Sequence, residues 1–455
     1  MPSGRGHSFI QGDKATKKYL LQYAEDESLM GERLARRYGR FGHALAIPAQ
    51  AEGQDLTQCL SGVPSGPNGP TLIVTVINAR TDASEEVLKS NRSALEEIDK
   101  SFGMPDRLSP RICTYEHPVG RLVVIDRSDA CPMPRKQGVG LARKIGCDFL
   151  LGVIESGATT SPWIHCSDAD TKLPPGYFEQ AETQAKNEAT ALVYPFRHRR
   201  DVQNPVTYPI ALEYESSLRY YVLGLRFAGS AHAFHSVGSA LAVHANAYAQ
   251  VRGFPRREAA EDFYLLNKLA KLGAIQQLDG VPIEPSSRSS NRVPFGTGAA
   301  IQKQLLRSQE EIQTYHPQVF TYLQTWEATI RNCQLQPSLA QNVPFAVTTR
   351  ANATPGVESA RLLEALEASG ALSRAERALQ GPASSIPRKL RDNLDSFRTL
   401  RLVHALRDTG LGKIGLREAI DKASFIELEE KIDELSIHEV ATRLERLDYG
   451  HLTEQ

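Results

Sequence analysis

The sequence predicts an α/β protein with a mostly parallel sheet flanked by helices, followed by an all-helical C-terminal region. Between residue 43 and about residue 300, short apolar runs rich in β-branched residues alternate with amphipathic stretches. Such alternation implies parallel pairing with helices on both sheet faces. From about Gln302 the strand-like runs stop and helical spacing takes over. A chain of 455 residues is also long for one ordinary domain.

The elements follow in order. Residues 13–42 carry a charge-rich helical pattern from Lys17 and Tyr19 through Leu34 and Tyr38. His43–Ile47 reads as a buried strand ended by Pro48, and Thr71–Ile77 as a second. Ser84–Phe102 has helical spacing, Arg121–Ile125 is a third strand, and Gly138–Leu150 a helix. Pro162–Cys166 is a fourth strand, then a helix runs from about Gly176 to Thr190, and Ala191–Tyr194 begins a fifth strand. Beyond Gln302, Leu305–Asn332, Gly356–Gln380, Pro387–Asp408 and Leu416–Leu447 look helical, with Leu390, Leu394, Phe397 and Leu400 on one stripe. Gln334–Pro355, proline-bearing and aperiodic, reads as a linker. The expected division is therefore an N-terminal helical segment (1–42), an α/β domain (43–301) and a helical region (302–455) suited to packing or self-association.

Composition removes several classes. Formal net charge is zero, so the basic face expected of a nucleic-acid binder has no support. No window approaches the roughly twenty apolar residues of a membrane span, and Met1–Gly12 lacks an apolar signal core. A cytoplasmic enzyme is the default expectation. The six cysteines form no C-x-x-C pair and read as reduced thiols. His165-Cys166 and Cys113 with His117 have metal-ligand residue types, but without a matching second pair buried packing is the better expectation. For His232 with His235, acceptor contact or ordinary packing is a better expectation than a zinc site.

Ligands in such sheets gather beyond the carboxyl ends of the strands. There stands Ile164-His-Cys-Ser-Asp-Ala-Asp-Thr-Lys-Leu-Pro-Pro-Gly176. Side chains two apart at a strand end point the same way, so Asp168 and Asp170 can face one point. Two carboxylates with phosphate oxygens suit a hard cation, Mg²⁺ or Mn²⁺. Gly138 and Gly140 make a poor dinucleotide fingerprint, because no strand runs directly into them and Arg143 holds the third glycine position. No phosphate-binding G-x-x-x-x-G-K-[ST] loop exists.

With this Asp-x-Asp segment in its place, residues 43–300 resemble family 2 of the inverting glycosyltransferases, which have the GT-A fold. Ala46–Glu52 looks like the family's opening strand and Pro-x-x-x-Glu nucleotide loop, putting Pro48, Ala49 and Glu52 at the nucleotide. Val76–Ser84 looks like the second strand and its acidic, Ser/Thr-rich turn; Asn78 stands where the family often has an Asp contacting the base. Gly138–Gly146 is similar to the helix carrying an Arg, here Arg143, toward the diphosphate. Gly238–Val243, Val251–Pro255 and Glu261-Asp262 resemble the acceptor-side strand, its turn and the Glu-Asp pair. The resemblance implies that Glu261 and Asp262 are both catalytic; the second carboxylate of that pair commonly serves as base, which implies that Asp262 deprotonates the acceptor hydroxyl. The family often adds a downstream His to the metal; between Asp262 and His316 there is none.

The resemblance implies a metal-dependent hexosyltransferase-like enzyme. It would move a sugar from a nucleotide-diphosphate donor to an acceptor hydroxyl of unstated identity, with inversion. Arg288 and Arg292 in Ser286–Gly298 offer forked donors to phosphate, and Gly296 and Gly298 suit a closing lid. Alternatives are retention at the anomeric carbon, nucleotidyl transfer on a similar sheet, and a degenerate binding or scaffold module. Nucleotidyl transfer would favour a Gly-rich, Lys/Arg-bearing loop after the first strand, where Pro48–Glu52 stands.

Overall fold

The computed structural model describes residues 14–201, 204–290, 292, 296–306, 311–335 and 342–450. The chain divides into two compact units, one of Met1–Arg200, Ser236–Ser287 and Arg292–Phe295, the other of Asp201–His235, Arg288–Asn291 and Gly296–Gln455.

The first unit is α/β. Its helices and strands run α1 (Lys14–Gln22), α2 (Leu29–Tyr38), β1 (His43–Ala49), α3 (Gln54–Ser61), β2 (Thr71–Asn78), α4 (Glu85–Phe102), β3 (Asp106–Ser109), β4 (Ile112–His117), β5 (Gly120–Arg127), α5 (Val139–Glu155), β6 (Trp163–Cys166), α6 (Tyr177–Gln184) and β7 (Ala189–Val193). Helix α7 (Thr207–Phe227) belongs to the second unit. The first unit resumes with β8 (Leu241–His244), α8 (Ala245–Gln250), α9 (Glu261–Leu269) and β9 (Ala274–Gln277). The strands form one sheet in the order β3-β4-β5-β2-β1-β6-β8-β7-β9. Its centre, β5-β2-β1-β6, is parallel, as the alternating pattern predicts.

The flanks differ from expectation. Strands β3, β4 and β5 form an antiparallel meander, and β8 runs antiparallel to both β6 and β7. Asp106–His117 carries too many polar residues to read as strands, yet His117 pairs with Gly120 across a two-residue turn that only antiparallel neighbours can use. The helix expected to reach Thr190 ends at Gln184, because Ala185 is extended and Ala189 joins β7.

Burial explains the centre. Every residue of β1 and β2 is buried, so apolar runs rather than alternation mark them. Helix α5 is covered almost all round. A Cβ on its Gly146 would sit 3.3 Å from the Ala46 Cβ, and one on its Gly152 would sit 2.4 Å from the Ser28 carbonyl oxygen. Small residues therefore let α5 lie close to the sheet on one side and to the N-terminal helices on the other. Those helices are held by a buried polar knot: Asp148 accepts from the hydroxyls of Tyr19 (2.6 Å) and Tyr248 (2.8 Å), from the Glu25 amide (2.8 Å) and from Lys144 Nζ (2.6 Å).

The second unit is helical, with α7, α10 (Thr297–Leu306), β10 (Gln313–Tyr315), α11 (Gln318–Leu335), α12 (Val343–Asn352), α13 (Ser359–Ala368), α14 (Ala371–Leu379), α15 (Ile386–Asp392), α16 (Ser396–Asp408), β11 (Lys413–Gly415), α17 (Leu416–Asp421) and α18 (Ile437–Tyr449). The helical segments are shorter than the periodicity suggests. The expected Leu390–Leu400 stripe breaks where Asp395 accepts from the Arg398 amide (2.9 Å) and starts α16, leaving Phe397 exposed. Part of the expected 334–355 linker is helix α12, started by Asn342, whose side chain accepts from the Phe345 amide (3.0 Å), with Pro344 in the first turn where no amide is missed. Residues 336–341 lie outside the described residues.

In the second unit, Asp448 on α18 accepts from Arg219 (3.1 Å) and Arg226 (3.0 Å) of α7 and pairs with His235 Nε2 (2.6 Å). Arg219 also pairs with Glu215 (2.8 Å). His232 Nδ1 meets the Ser396 hydroxyl at 2.9 Å. His232 and His235 thus both have polar partners within the second unit. Among the described residues no helix is long and apolar enough to cross a membrane.

Candidate active site

The site is built where β1, β2 and β6 end. Pro48 and Ala49 are the last residues of β1, and both are buried. Pairing with β6 ends at Ala46–Cys166, so Pro48, which lacks an amide hydrogen, lies beyond that ladder. The chain then turns through Ala51 (φ 54°) and Gly53 (φ 53°), with the Ala51 amide donating to Asn91 Oδ1 at 2.8 Å. A non-glycine residue in that region costs energy and persists only where its surroundings fix it.

Asn78 closes β2 and is buried. Its Nδ2 donates to the Ala49 carbonyl (2.8 Å) and the Val76 carbonyl (3.3 Å), while its Oδ1 has no partner among the described residues. Here Asn78 fastens the base of the loop that follows β1. Glu52 pairs with Arg292, whose Nη1 also donates to the Gln50 carbonyl at 2.7 Å. Arg292 therefore reaches the loop after β1, with its charge matched by a carboxylate. Arg288 is half-buried in irregular chain of the second unit. Within that unit the Ser290 amide donates to the Gly298 carbonyl at 3.1 Å; of the expected lid, Asn291 and residues 293–295 lie outside the described residues.

Arg143 stands at the middle of the site. It lies on α5 with its side chain 2% exposed. Its Nη2 donates to Asp168 Oδ1 (2.8 Å), its Nε to Glu261 Oε1 (3.0 Å), and its Nη1 to the Gly238 carbonyl (2.9 Å) and the Ser167 carbonyl (3.4 Å). The guanidinium expected at the diphosphate is instead a clamp joining the Asp-x-Asp turn, the Glu-Asp pair and the approach to β8. Burial disfavours its charge, but Asp168 and Glu261 outweigh that and hold it firmly protonated. Gly238 makes the room: a Cβ there would stand 2.6 Å from Arg143 Nη2. Gly238→Ala is expected to displace the clamp and lower turnover by about 10²-fold. Thermal unfolding measured beside turnover shows how much of the loss comes from destabilising this buried cluster.

Gly138 and Gly140 have a related role. A Cβ on Gly140 would lie 2.5 Å from the Pro255 carbonyl oxygen, and the Gly140 amide donates to the Arg257 carbonyl at 3.1 Å. These glycines admit the loop that leads to Glu261, which accounts for them without a dinucleotide.

That loop ends at Ala260 (φ 59°), and Glu261 and Asp262 form the first turn of α9. Their negative charge faces the favourable end of the helix dipole. Glu261 is buried; burial raises its carboxyl above the usual range, and Arg143 counters part of that rise. Asp262 is partly exposed at its surface, and its Oδ1 accepts from the Phe263 amide at 2.7 Å. Its carboxyl, sunk among protein atoms and beside Glu261, is pushed up to about 7. A carboxylate titrating there is suited to take a proton near neutral pH.

Asp168 and Asp170 follow β6 in the turn, both partly exposed. The turn is supported from beneath by the Cys59 thiol, 3.6 Å from the carbonyl oxygens of Asp168 and Thr171. Burial and the carboxylates of Asp170, Glu52 and Asp168 push that thiol up to about 12, so it stays protonated and can donate. Among the described residues no group of three or more His, Cys, Asp or Glu side chains is placed to hold a metal. Asp168 and Asp170 alone are fewer ligands than a closed zinc site uses. His165 and His117 are committed elsewhere, His165 Nδ1 to the Tyr194 hydroxyl (2.9 Å) and His117 Nε2 to the Leu60 carbonyl oxygen (3.1 Å).

One residue escaped the sequence reading. After β7 the chain runs Phe196-Arg-His-Arg-Arg200 beside Ile283–Ser286, with the Arg199 amide donating to the Pro285 carbonyl at 2.9 Å. Arg199 Nη2 donates to the Asp170 carbonyl at 3.2 Å. The basic run at a strand end was the available signal.

No family model matches the chain, and no curated protein matches it. Among solved structures it is similar to residues 1–349 of S. aureus TarS in complex with UDP-GlcNAc, at TM-score 0.35 and 11% identity, covering 79% of this chain and 92% of that one. It is also similar to the mannosyltransferase PcManGT from Pyrobaculum calidifontis in complex with GDP-Man and Mn²⁺, at TM-score 0.34 and 16% identity, covering 83% of this chain and 96% of that one.

Proposed function

We propose that the protein is a glycosyltransferase of the GT-A type, moving a sugar from a nucleoside-diphosphate donor to an acceptor hydroxyl with inversion. The observation that carries this reading is the Arg143 clamp, which holds a cation-binding carboxylate and the Glu-Asp pair to one guanidinium. Transfer requires that pairing: one centre to take up charge on the departing diphosphate, and one base near the incoming hydroxyl.

In this reading the loop from Pro48 to Glu52 binds the nucleotide, and Asn78 fixes that loop. Asp168 and Asp170 hold Mg²⁺ or Mn²⁺. When bound, the cation stabilises negative charge on the leaving diphosphate. Asp262 accepts the acceptor's proton as the hydroxyl oxygen attacks the anomeric carbon. Glu261 neither binds metal nor moves the proton; paired with Arg143, it fixes the start of α9. Inversion follows from a single displacement by the acceptor on the face opposite the diphosphate.

The test is release of nucleoside diphosphate from UDP- and GDP-sugars by the wild type, Asp168→Ala and Asp170→Ala, each with Mn²⁺. Loss of at least about 10²-fold in either variant is expected, since several kcal/mol of charge stabilisation disappear. Unchanged donor turnover would overturn the reading. Release of pyrophosphate instead would return nucleotidyl transfer to first place.

A further inference from the structure

Of the arginines that the sequence nominates for phosphate, Arg143 is buried and spent on Asp168 and Glu261, Arg292 is matched by Glu52, and Arg288 belongs to the second unit. A diphosphate carries more negative charge than one cation on two carboxylates offsets, so another fixed cation is needed at the turn. We propose that Arg199 is a direct phosphate-contact residue of the donor site, supplying its guanidinium beside Asp170. This deepens the transfer reading and rests on it.

Three observations carry the assignment. Arg199 is an exposed residue whose Nη2 is anchored 3.2 Å from the Asp170 carbonyl oxygen, within the turn that holds the cation-binding carboxylates. That partner is a neutral carbonyl, so the contact fixes the side chain without cancelling its charge. The backbone beneath is stiff: the Arg199 amide donates to the Pro285 carbonyl, Arg197 donates to the Ile283 carbonyl (2.9 Å), and the neighbouring Lys172 amide donates to the Glu284 carbonyl (3.0 Å). Arg199 is thus presented on sheet-like chain tied at two points, which lowers the entropy cost of holding a guanidinium against an anion. A planar fork with remaining N–H donors is suited to phosphate oxygens.

Binding without metal isolates this contact from the cation's. Dissociation constants for UDP and GDP, and for uridine and guanosine, are measured in EDTA for the wild type, Arg199→Ala and Arg199→Lys. Expected for Arg199→Ala is a loss of about 10- to 100-fold in affinity for the bound diphosphate, the size of one charged hydrogen bond. Nucleoside affinity stays unchanged, and Arg199→Lys recovers part of the loss. Equal weakening of nucleoside and diphosphate, or no change in either, overturns the inference while leaving the transfer reading intact. A wild type that binds neither diphosphate, with or without Mn²⁺, overturns both.

Discussion

Replacing Asp262 by Asn is expected to lower turnover by about 10²- to 10⁴-fold, the usual contribution of a positioned general base. Nucleotide binding is expected to stay near wild type, because Asp262 faces the acceptor in this account. The wild-type rate should fall as pH drops below about 7, where the Asp262 carboxyl takes up its proton. The variant's residual rate should lack that limb. Stability supplies an independent readout. The folded-state carboxyl titrates near 7 and the unfolded one near 3.9. A group raised in this way contributes stability that is full below about pH 4 and is lost as pH rises through about 7. Asp262→Asn removes the cost of an ionised carboxylate in this setting, so at pH 8 the variant should melt above the wild type. A slow enzyme that is more stable is the signature of a functional carboxylate kept at a cost in stability. A slow enzyme that melts earlier would indicate a structural role.

Asp448→Ala is expected to cost the second unit about 3–5 kcal/mol, the usual penalty for breaking a buried ion cluster from one side. Arg219 and Asp448 are fully buried, and loss of the carboxylate leaves Arg219, Arg226 and His235 facing one another. For a unit of this size the melting transition should fall by about 10 °C. Burial would raise the Asp448 carboxyl, but His235, Arg219 and Arg226 outweigh it and hold the group well below the usual range. The contribution is therefore complete above about pH 4 and fades as pH falls through the depressed value. The deficit of Asp448→Ala should be present at pH 7 and shrink in acid. A variant that melts as the wild type does at pH 7 would show that the cluster adds no net stability.

The parts of the fold legible in the sequence are those where local composition and burial agree. Thr71–Asn78 and His43–Ala49 are apolar because both sheet faces are covered, and Ser84 starts α4 by accepting from the Val87 amide (3.4 Å). Strand direction was less legible, since β8 reads as an ordinary apolar run and only its neighbours make it antiparallel. Helix ends in the second unit depend on single capping residues, Asn342 and Asp395, that periodicity overlooks. In the site, the Asp-x-Asp segment stood out because acidic residues at a strand end are chemically conspicuous, and the Glu-Asp pair through the family resemblance. The clamp did not. Arg143 meets Glu261 across 118 residues, and Gly238, which clears its space, carries no chemical signal of its own. Arg199 was likewise hidden, because its proximity to Asp170 comes from chain pairing beyond β7.

The central claim is a nucleoside-diphosphate site completed by a cation on Asp168 and Asp170. Its most direct test is the melting temperature of the purified protein with UDP, GDP, ADP or TDP, each with and without Mn²⁺ or Mg²⁺. A ligand that binds only the folded state must raise apparent stability, by about 2.7 kcal/mol at a hundred times its dissociation constant. The account predicts a metal-dependent rise for one of these nucleotides that disappears in Asp170→Ala. No rise with any nucleotide, or a rise that Asp170→Ala retains in full, would contradict it.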